Sequence, residues 1–355
     1  MGKVNKSQAM QAMDALKAQG VIVPSLGYNG QVMDATGGIG TGMAFLIGEL
    51  EKQDPRLLEP MTSITAPRDI DMVPGGGWVD ITSNAFVHYA TTGSDEDSIG
   101  AGETNNIPIS TANISKDVFK VHTFMENLAV PIYDELKLQQ IGKSLSQILD
   151  DGLRLNFNKL LDRNVYVGIS KTGTYGLVNN PLVTATNVAL NEAGTSRSWA
   201  QKTTREIMND VNIALNTTWA QSEYDLDGMA DHVIIDTTNF SYIVNTPVTL
   251  AGTQSILEYL LKNNIATAQG RRLEIFPSRW CGDTSGITKP GVGGTNRMVA
   301  YVKRPNRVAI DLPVPLSRIM QGPDTNQGRY VTLYAGQFSQ TKILAPTAIS
   351  YFDGI

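Results

Sequence analysis

A chain of 355 residues can hold two or three packed units, and 41% hydrophobic with 18% charged residues is ordinary for a globular protein. The net charge of -5 argues against a surface built to neutralise phosphates, so we expect any nucleic acid nearby to be enclosed rather than gripped. The single cysteine, Cys281, excludes an intramolecular disulfide framework and fits a reducing compartment, and no apolar run of about 18 residues predicts a membrane span.

Residues 1–67 predict an N-terminal arm with little core of its own. Helical patterns over Ser7 to Gln19 and over Gly42 to Gln53 alternate with the glycine-rich breaks GYNG and ATGGIGTG. Ordering a residue costs about 1–2 kcal/mol, which burial must offset. We therefore expect this arm to gain order by lying on a neighbouring molecule. The first residues lack the apolar core of a secretory signal.

Residues 68–131 predict a long β-hairpin. The segments WVDITSNAFVHYATT and ISKDVFKVHTFMENLAVPI are rich in β-branched and aromatic residues, and the polar segment GSDEDSIGAGETNN separates them. A lone hairpin is marginally stable in water, so these strands need a third strand or a packing partner. The acidic residues Asp95, Glu96 and Asp97 lie at the predicted tip, where they are either solvated or meet a basic patch on a neighbour.

Residues 132–163 predict a long amphipathic helix. At a rise of 1.5 Å per residue, about 30 residues would make this helix roughly 45 Å long. Its apolar positions recur at spacings of three and four, at Leu138, Ile141, Leu145, Ile148, Gly152 and Leu155. We expect this stripe to face a sheet of the same chain. The helix ends before the turn TGTYGLVNNP. By itself such a helix is equally typical of a helical bundle or a linker.

Residues 229–319 predict a compact α/β unit. A second amphipathic helix precedes it over Ala200 to Ser222, where Thr203 and Glu206 match a capping box. A strand in HVIIDTTNFSYIV, a helix in SILEYLLKNN and an extended stretch in RRLEIFPSRW then alternate. Residues 281–296 are glycine-rich and polar, which predicts a loop, and late strands follow to the end of the chain.

The sequence offers no catalytic, cofactor-binding or metal-binding constellation. Its three histidines have no metal-ligand spacing. Gly142-Lys143-Ser144 is similar to the end of a phosphate-binding loop, but Lys137 stands where the first glycine is required. We expect a protein that is not an enzyme and has no cofactor. An α/β enzyme with its site near the 281–296 loop is the weakest alternative.

The order of these segments resembles the major capsid proteins of tailed bacteriophages and the encapsulins, which share the Johnson, or Hong Kong ninety-seven type, fold. The local matches are the helix exit GLVNNP and the late phrase Ala345-Pro346-Thr347-Ala348-Ile349-Ser350-Tyr351. The resemblance implies an α+β fold. It implies an N-terminal arm (1–67), an extended β-hairpin loop (68–131), a peripheral domain (132–228) with spine helix 132–163, an axial α/β domain (229–319) and return strands of the peripheral domain (320–355).

The same resemblance implies a major capsid, or coat, protein that assembles as hexamers and pentamers into an icosahedral phage head around double-stranded DNA. An encapsulin-like shell around a cargo enzyme is the alternative within this fold. The implied location is the virion, assembled in the cytoplasm of a bacterial host, without a membrane and without sequence-specific DNA binding. This assignment allows separate scaffolding, portal and decoration proteins as further partners. An internal scaffold is not expected, because the sequence before the hairpin has no charged heptad region.

Contacts with neighbouring subunits are expected along the hairpin and at cations that the acidic tip would meet. The candidates are Trp78, Phe86, Asp95, Glu96, Asp97, Phe119, Arg271, Arg272 and Lys342. Some members of the resembled family cross-link covalently through a hairpin lysine. The tip of this hairpin has no lysine, and Lys116 and Lys120 fall on its return strand, so we expect closure without covalent links.

Overall fold

The computed structural model of the protein describes residues 25–26, 32–33, 64–92, 108–140, 145–249, 252–282 and 289–355. The chain divides into two units, Met1–Met61 and Thr62–Ile355. In the first unit, β1 (Ser25–Leu26) pairs antiparallel with β2 (Val32–Met33). The two helices predicted in the arm and the acidic residues Asp95, Glu96 and Asp97 lie outside the described residues.

The other described elements belong to the second unit. Its helices are α1 (Ala66–Asp69), α2 (Ile132–Gln140), α3 (Leu145–Tyr166), α4 (Thr204–Gln221), α5 (Thr237–Asn245), α6 (Ile256–Lys262) and α7 (Ile265–Ala268). Its strands are β3 (Asp71–Pro74), β4 (Ile81–Thr91), β5 (Ser110–Pro131), β6 (Ala185–Asn187), β7 (His232–Ile235), β8 (Glu274–Pro277), β9 (Arg297–Tyr301), β10 (Val308–Leu312), β11 (Val314–Asp324), β12 (Arg329–Ser339), β13 (Lys342–Ile343) and β14 (Ile349–Asp353).

These strands form three sheets, ordered β11-β12-β5-β4, β6-β14-β9-β7-β8 and β13-β10-β3. The long helix α3 packs on the first, four-stranded sheet, where Leu153 joins Leu128, Val130 and Tyr334 in a buried cluster. Helix α4 packs on the five-stranded sheet through a second core. The predicted capping box of α4 is confirmed, since Thr203 and Glu206 bond to each other's backbone N–H groups.

The long helix is present as α2 and α3, but the predicted stripe is wrong where its side chains are described. Ile148 is exposed and Leu155 only half-buried, whereas Leu153 and Phe157 are buried. The physical reason is aromatic packing, because Phe157 meets Phe124 edge-on at 5.2 Å between ring centroids. Spacings of three and four fit two adjacent stripes of one helix, and the sheet's aromatic side chains select between them.

The predicted hairpin is confirmed, and its second strand is longer than the hairpin itself. Strand β4 pairs antiparallel with β5 from Ile81 opposite Lys120 to Thr91 opposite Ser110. The rest of β5, from Val121 to Pro131, pairs with β12. One strand of 22 residues, about 70 Å long, therefore belongs both to the hairpin and to the four-stranded sheet. This sheet supplies the third strand that a lone hairpin lacks.

The first limb of the hairpin is joined to the fold differently. Gly75, Gly76 and Gly77 separate β3 from β4 and have φ angles of 108°, 118° and 72°. Residues with a side chain rarely adopt such positive φ angles, so the backbone conformation of this turn requires glycine at all three positions. One limb is thus continuous with a sheet, and the other enters through a glycine turn.

The sheets cross the boundaries that the sequence suggested. Strand β14 falls within the return strands 320–355, yet it pairs with β9 and β6 in the five-stranded sheet. Strand β11 begins within 229–319 but pairs with β12 in the four-stranded sheet. Strand pairing over such sequence distances is decided by the tertiary fold, and local sequence patterns do not encode it.

A pair of glycine substitutions tests the turn that follows α3. At Gly176 a Cβ atom would lie 2.2 Å from the carbonyl carbon of Tyr166, so we expect Gly176→Ala to lower the free energy of unfolding by about 3 kcal/mol or more. Gly152 on the exposed face of α3 has no atom within 4 Å of its added Cβ. Gly152→Ala should instead stabilise the protein by about 0.5–1 kcal/mol. Urea unfolding measures both, and equal effects would contradict the close approach at Gly176.

Candidate functional site: a buried joint and an exposed hairpin

The two motifs GLVNNP and APTAISY are in direct contact. The hydroxyl of Tyr351 donates to the carbonyl of Leu177 at 2.6 Å and accepts from the N–H of Asn180 at 3.1 Å. The Asn179 side chain closes the turn, because it accepts from the N–H of Gly176 and donates to the carbonyl of Val167, both at 2.8 Å. The end of α3 is therefore tied to β14 of the five-stranded sheet.

A buried ion pair supports the same contact. Arg297 binds the carboxylate of Asp353 through two N–H groups at 2.7 and 2.9 Å, and it donates to the carbonyl of Val178 at 2.6 Å. Its guanidinium lies 4.3 Å from the centre of the Tyr351 ring. The planar guanidinium thus makes a two-bond ion pair, a hydrogen bond to a carbonyl and a contact with an aromatic ring at the same time.

A second polar cluster, the buried joint, lies around the carboxylates of Asp69 and Asp162, which are both fully buried. Asp69 accepts from Arg68 at 2.6 and 2.8 Å, from the Tyr166 hydroxyl, and from His232 Nε2 at 3.4 Å. Because a carboxylate only accepts, these groups act as donors. Arg68 also donates to the carbonyl of Pro277 at the end of β8.

The other carboxylate of the buried joint caps helix α1. Asp162 accepts from the backbone N–H groups of Thr65 and Ala66 at 2.8 and 2.9 Å. The indole N–H of Trp280 donates to it at 2.9 Å, and the Trp280 ring stacks on Tyr166. The joint therefore connects α1, the end of α3 and the five-stranded sheet, so the segment before the hairpin is fixed to this helix and to this sheet.

The electrostatics of the buried joint follow from these contacts. Burial raises the pKa of Asp69, but the hydrogen bonds from His232, Arg68 and Tyr166 outweigh it, so the pKa lies below its ordinary value. Burial and the neighbouring carboxylate raise the pKa of Tyr166 and of Tyr301, whose hydroxyl donates to the backbone carbonyl of Asp69. The joint thus holds a carboxylate with neutral phenols, an arrangement that stabilises structure and leaves no free base.

Sequence patterns did not single out the residues of the buried joint. One signal was present, since Asp162 and Tyr166 stand one turn apart beside the apolar positions Phe157 and Leu161. A carboxylate next to the buried stripe of a helix requires a partner. Its partners, Thr65 and Trp280, lie about a hundred residues away in the chain.

The two faces of the hairpin differ in their exposure. On one face, β4 and β5 alternate so that Val87 lies opposite Ile114, with Tyr89 and Val118 beside them. All four side chains are exposed: Val87 by 48%, Ile114 by 69%, Tyr89 by 82% and Val118 by 53%. We call them the apolar hairpin face. The other face carries His88 and Asn113 toward the tip.

Three contact candidates are bound within their own chain in the structure. Lys342 is buried and pairs with Asp311 at 2.7 Å, with its ammonium 6.0 Å from the Phe119 ring. Phe119 is buried beneath it. Arg271 donates to Asp231 at 2.8 Å and to the carbonyl of Leu226. Packing between distant strands engages these side chains, and their contacts with a neighbour stay predictions.

The remaining described candidates stay available at the surface. Trp78 is 54% exposed, Phe86 is half-buried and Arg272 is exposed. They are not neighbours in one cluster of side chains: Trp78 lies between the glycine turn and β4, Phe86 lies in β4, and Arg272 precedes β8. They stay predictions as contacts.

The cavities of the described part do not bring catalytic groups together. An open groove of about 660 Å³ lies between α4 and α6, where Thr203 and Glu206 already bond to each other. A cavity of about 250 Å³ beside the predicted 281–296 loop is lined in part by Asp236, whose carboxylate caps α5. Among the described residues no cluster of His, Cys, Asp and Glu is placed to bind a metal ion, and no helix has the length and hydropathy that crossing a bilayer requires.

Removing one hydroxyl tests the buried joint. Tyr166→Phe keeps the ring on Trp280 but takes a donor from a buried carboxylate, so we expect a loss of about 1.5–3 kcal/mol in the free energy of unfolding at neutral pH. Because the pKa of Asp69 is depressed in the folded state, its stabilisation is present above the unfolded pKa of about 3.9 and is lost as the pH falls through the folded pKa. The difference between the wild type and the variant should therefore narrow below about pH 4.

The matched control is Tyr175→Phe, at a half-exposed tyrosine of the turn after α3, where the loss should stay within about 0.5 kcal/mol. Denaturant unfolding at a series of pH values measures both variants. A difference between wild type and Tyr166→Phe that stays constant down to the lowest pH would contradict the role given to Asp69.

Comparisons with known proteins agree with this architecture. The capsid of Myoviridae Phage XM1 is similar over 90% of this chain and 100% of its own, with 16% identity and a TM-score of 0.70. Microbacterium phage Oxtober96 gives 12% identity, 89% and 99% coverage and a TM-score of 0.56, and the capsid of the cyanophage P-SCSP1u gives 16%, 93% and 98%, and 0.51. These likenesses confirm the α+β fold of the Johnson type.

No curated protein sequence matches the chain significantly. The sequence model of the family described as "Major capsid protein" matches residues 96–355, which is well over half of the chain. The protein therefore belongs to the major capsid protein family, whose members are structural proteins without catalytic activity.

Proposed function

We propose that this major capsid protein closes, as hexamers and pentamers, into the icosahedral head of a tailed phage around double-stranded DNA. The observation that carries the proposal is the combination of a capsid fold over nearly the whole chain with a hairpin that extends beyond its own core. About 35 Å of β5, from Ser110 to Lys120, pairs only with β4 and carries exposed apolar side chains. Such a surface needs a partner.

The fold supports a division of labour within each subunit. The four-stranded sheet with α3 would form the peripheral domain and its spine, and the five-stranded sheet with α4 to α7 would form the axial domain around each ring. The arm 1–67 and the hairpin would lie on neighbours. The buried joint favours this arrangement, because it fixes α1, which precedes the hairpin in the chain, to the end of α3 and to the five-stranded sheet.

The charge of the chain supports containment of DNA rather than binding to it. A net charge of -5 gives no excess of cations to neutralise phosphates, so the shell would enclose DNA without reading its sequence. Assembly in the reducing cytoplasm of a bacterial host fits a chain whose one thiol is buried and unpaired. Separate scaffolding, portal and decoration proteins are further partners that the proposal allows.

The encapsulin-like alternative is not favoured, because the family match is to major capsid proteins and the similar structures named above are phage capsids. The two kinds of shell differ in their contents. Particles that carry DNA have a high ratio of absorbance at the nucleic-acid and protein maxima, whereas cargo protein gives a low ratio.

Particle size is the first test of the proposal. The purified protein should form large hollow particles in negative-stain images and should elute near the void volume in size-exclusion chromatography, since shell interfaces commonly bury more than about 2,000 Å². Particles from infected cells should contain double-stranded DNA. A compact monomer or small oligomer under all assembly conditions would contradict a shell.

Denaturing electrophoresis tests how the shell closes. Lys116 and Lys120 lie in β5, and Lys120 already donates to the carbonyl of Thr172 at 2.8 Å. We therefore expect assembled particles to dissociate into a single monomer band. A ladder of covalent oligomers that resists reductant would contradict closure without cross-links.

A further inference from the structure

One face of the hairpin is partly covered near its base. On this face of β4, the side chains of Thr82, Asn84 and Phe86 are half-buried, whereas His88, the next residue outward, is exposed. Phe119 of β5 lies opposite Thr82 and is buried. We call Thr82, Asn84, Phe86 and Phe119 the hairpin root. Burial on this face of the hairpin therefore ends at Phe86.

A single lysine joins the hairpin root to the three-stranded sheet. The ammonium of Lys342 in β13 donates to Asp311 of β10 at 2.7 Å and to the side-chain oxygen of Asn84 at 3.2 Å. The same ammonium lies 6.0 Å from the centre of the Phe119 ring. An ammonium has three donors, so it can hold acceptors from two sheets at once. We call Lys342, Asp311 and Asn84 the root latch.

The two contacts of the root latch differ in strength. Lys342 and Asp311 expose only 7% and 14% of their side chains, so separating the two charges would leave each of them buried without a partner. Asn84 is neutral and half-buried, and losing it costs the ammonium one hydrogen bond. The ion pair is therefore a fixed anchor on the three-stranded sheet, and the contact with Asn84 is the part that engages the hairpin.

The first limb of the hairpin enters through a turn that has room to move. Strand β3 pairs with β10 in the three-stranded sheet, and Gly75, Gly76 and Gly77 then lead to β4. A Cβ atom added at Gly75 or Gly77 would meet no atom within 4 Å. A few loop residues that absorb changes in φ and ψ are sufficient for a hinge. The direction of the first limb is therefore set beyond this turn, where Asn84 meets Lys342.

A separate contact holds the opposite face of the hairpin at its base. Lys120 follows Phe119 in β5, so its side chain points to the other face, where its ammonium donates to the carbonyl of Thr172 at 2.8 Å. Thr172 belongs to the turn after α3. The base is thus held by Thr172 on one face and by Lys342 on the other. Without the root latch, only one of these two faces is held, and the hairpin is free to tilt away from the three-stranded sheet.

We propose that the root latch sets the angle at which the hairpin leaves its subunit. While Lys342 holds Asn84, the first limb keeps one direction; without this contact, the limb tilts at the glycine turn. Within the subunit this device is independent of assembly. Its consequence for the shell rests on the proposed function: subunits with one hairpin angle close into shells of one size, whereas subunits without the latch close into shells of mixed size.

Hydrogen exchange in unassembled subunits tests the root latch. Asn84→Ala removes the acceptor on the hairpin and keeps the buried ion pair intact. The backbone N–H groups of Val79 and Val121 report a tilt, because both are hydrogen-bonded at the hairpin base, at 3.0 and 3.2 Å. In the variant we expect both to exchange on the order of tenfold faster, while the N–H groups of residues 85–91 keep their wild-type rates.

Two further variants make this result specific. Asn113→Ala is the matched control, since Asn113 is exposed on the same face beyond the hairpin root and its side chain has no partner within the described part of the chain. It should exchange as the wild type does. Lys342→Met with Asp311→Leu removes both charges together, so that neither is left buried and unpaired, and should reproduce the effect of Asn84→Ala. Circular dichroism checks that each variant is folded, and Asn84→Ala decides alone if the double variant is not.

Two results of the exchange experiment would overturn the root latch. Wild-type rates at Val79 and Val121 in the Asn84→Ala variant would mean that other contacts fix the hairpin. Faster exchange along the whole of β4 would mean that the hairpin unfolds rather than tilts.

Particle diameters test the consequence for the shell. Electron micrographs of assembled wild type and Asn113→Ala should show one diameter, and those of Asn84→Ala should show several. A single diameter for Asn84→Ala would overturn the role of the latch in shell size. Wild-type protein that forms no particles contradicts the shell itself, and hydrogen exchange then still decides the latch, so the two failures are distinguishable.

Discussion

The fold depends on two carboxylates that have no access to water. Asp69 and Asp162 are fully buried, and a buried charge is tolerated only when donors surround it. Their donors come from α1, the end of α3, β7 and the segment after β8. Satisfying two charges therefore brings together parts of the chain that are far apart in sequence. The position of α3 relative to the five-stranded sheet is fixed at this point.

The same principle explains why the two short motifs matter in structural terms. The GLVNNP turn has backbone groups without partners in α3. The hydroxyl of Tyr351 in β14 binds two of them, the carbonyl of Leu177 and the N–H of Asn180. Arg297 and Asp353 complete the contact with a buried ion pair. The N–H groups of Leu177 and Val178 in this turn bind the carbonyls of Val165 and Tyr166 at the end of α3, so the turn joins the helix end to the chain's last strand.

Local patterns were sufficient to predict the elements of this fold. The alternation around Phe86 and Val118 predicted the hairpin, the three-and-four spacing predicted α3, and Thr203 with Glu206 predicted the start of α4. These signals lie within a few residues of each other. The resemblance then supplied the order of the domains.

The side-chain environments that the sequence did not predict depend on residues that are distant in the chain. The stripe of α3 was misplaced, with Leu153 and Phe157 buried in place of Gly152 and Leu155, because Phe124 and Phe338 pack against Phe157. Lys342 looked available for a neighbour, but Asp311 on the adjacent strand binds it.

The shared strand β5 also decides how force would pass through the molecule. One limb of its hairpin portion continues directly into the four-stranded sheet, while the other limb follows the turn of Gly75, Gly76 and Gly77. Such a projection behaves as a cantilever: a load at the tip bends the strand, and the bending moment enters the sheet beneath α3. A free hinge would shield the core from a load on the hairpin, whereas this continuous strand would transmit it.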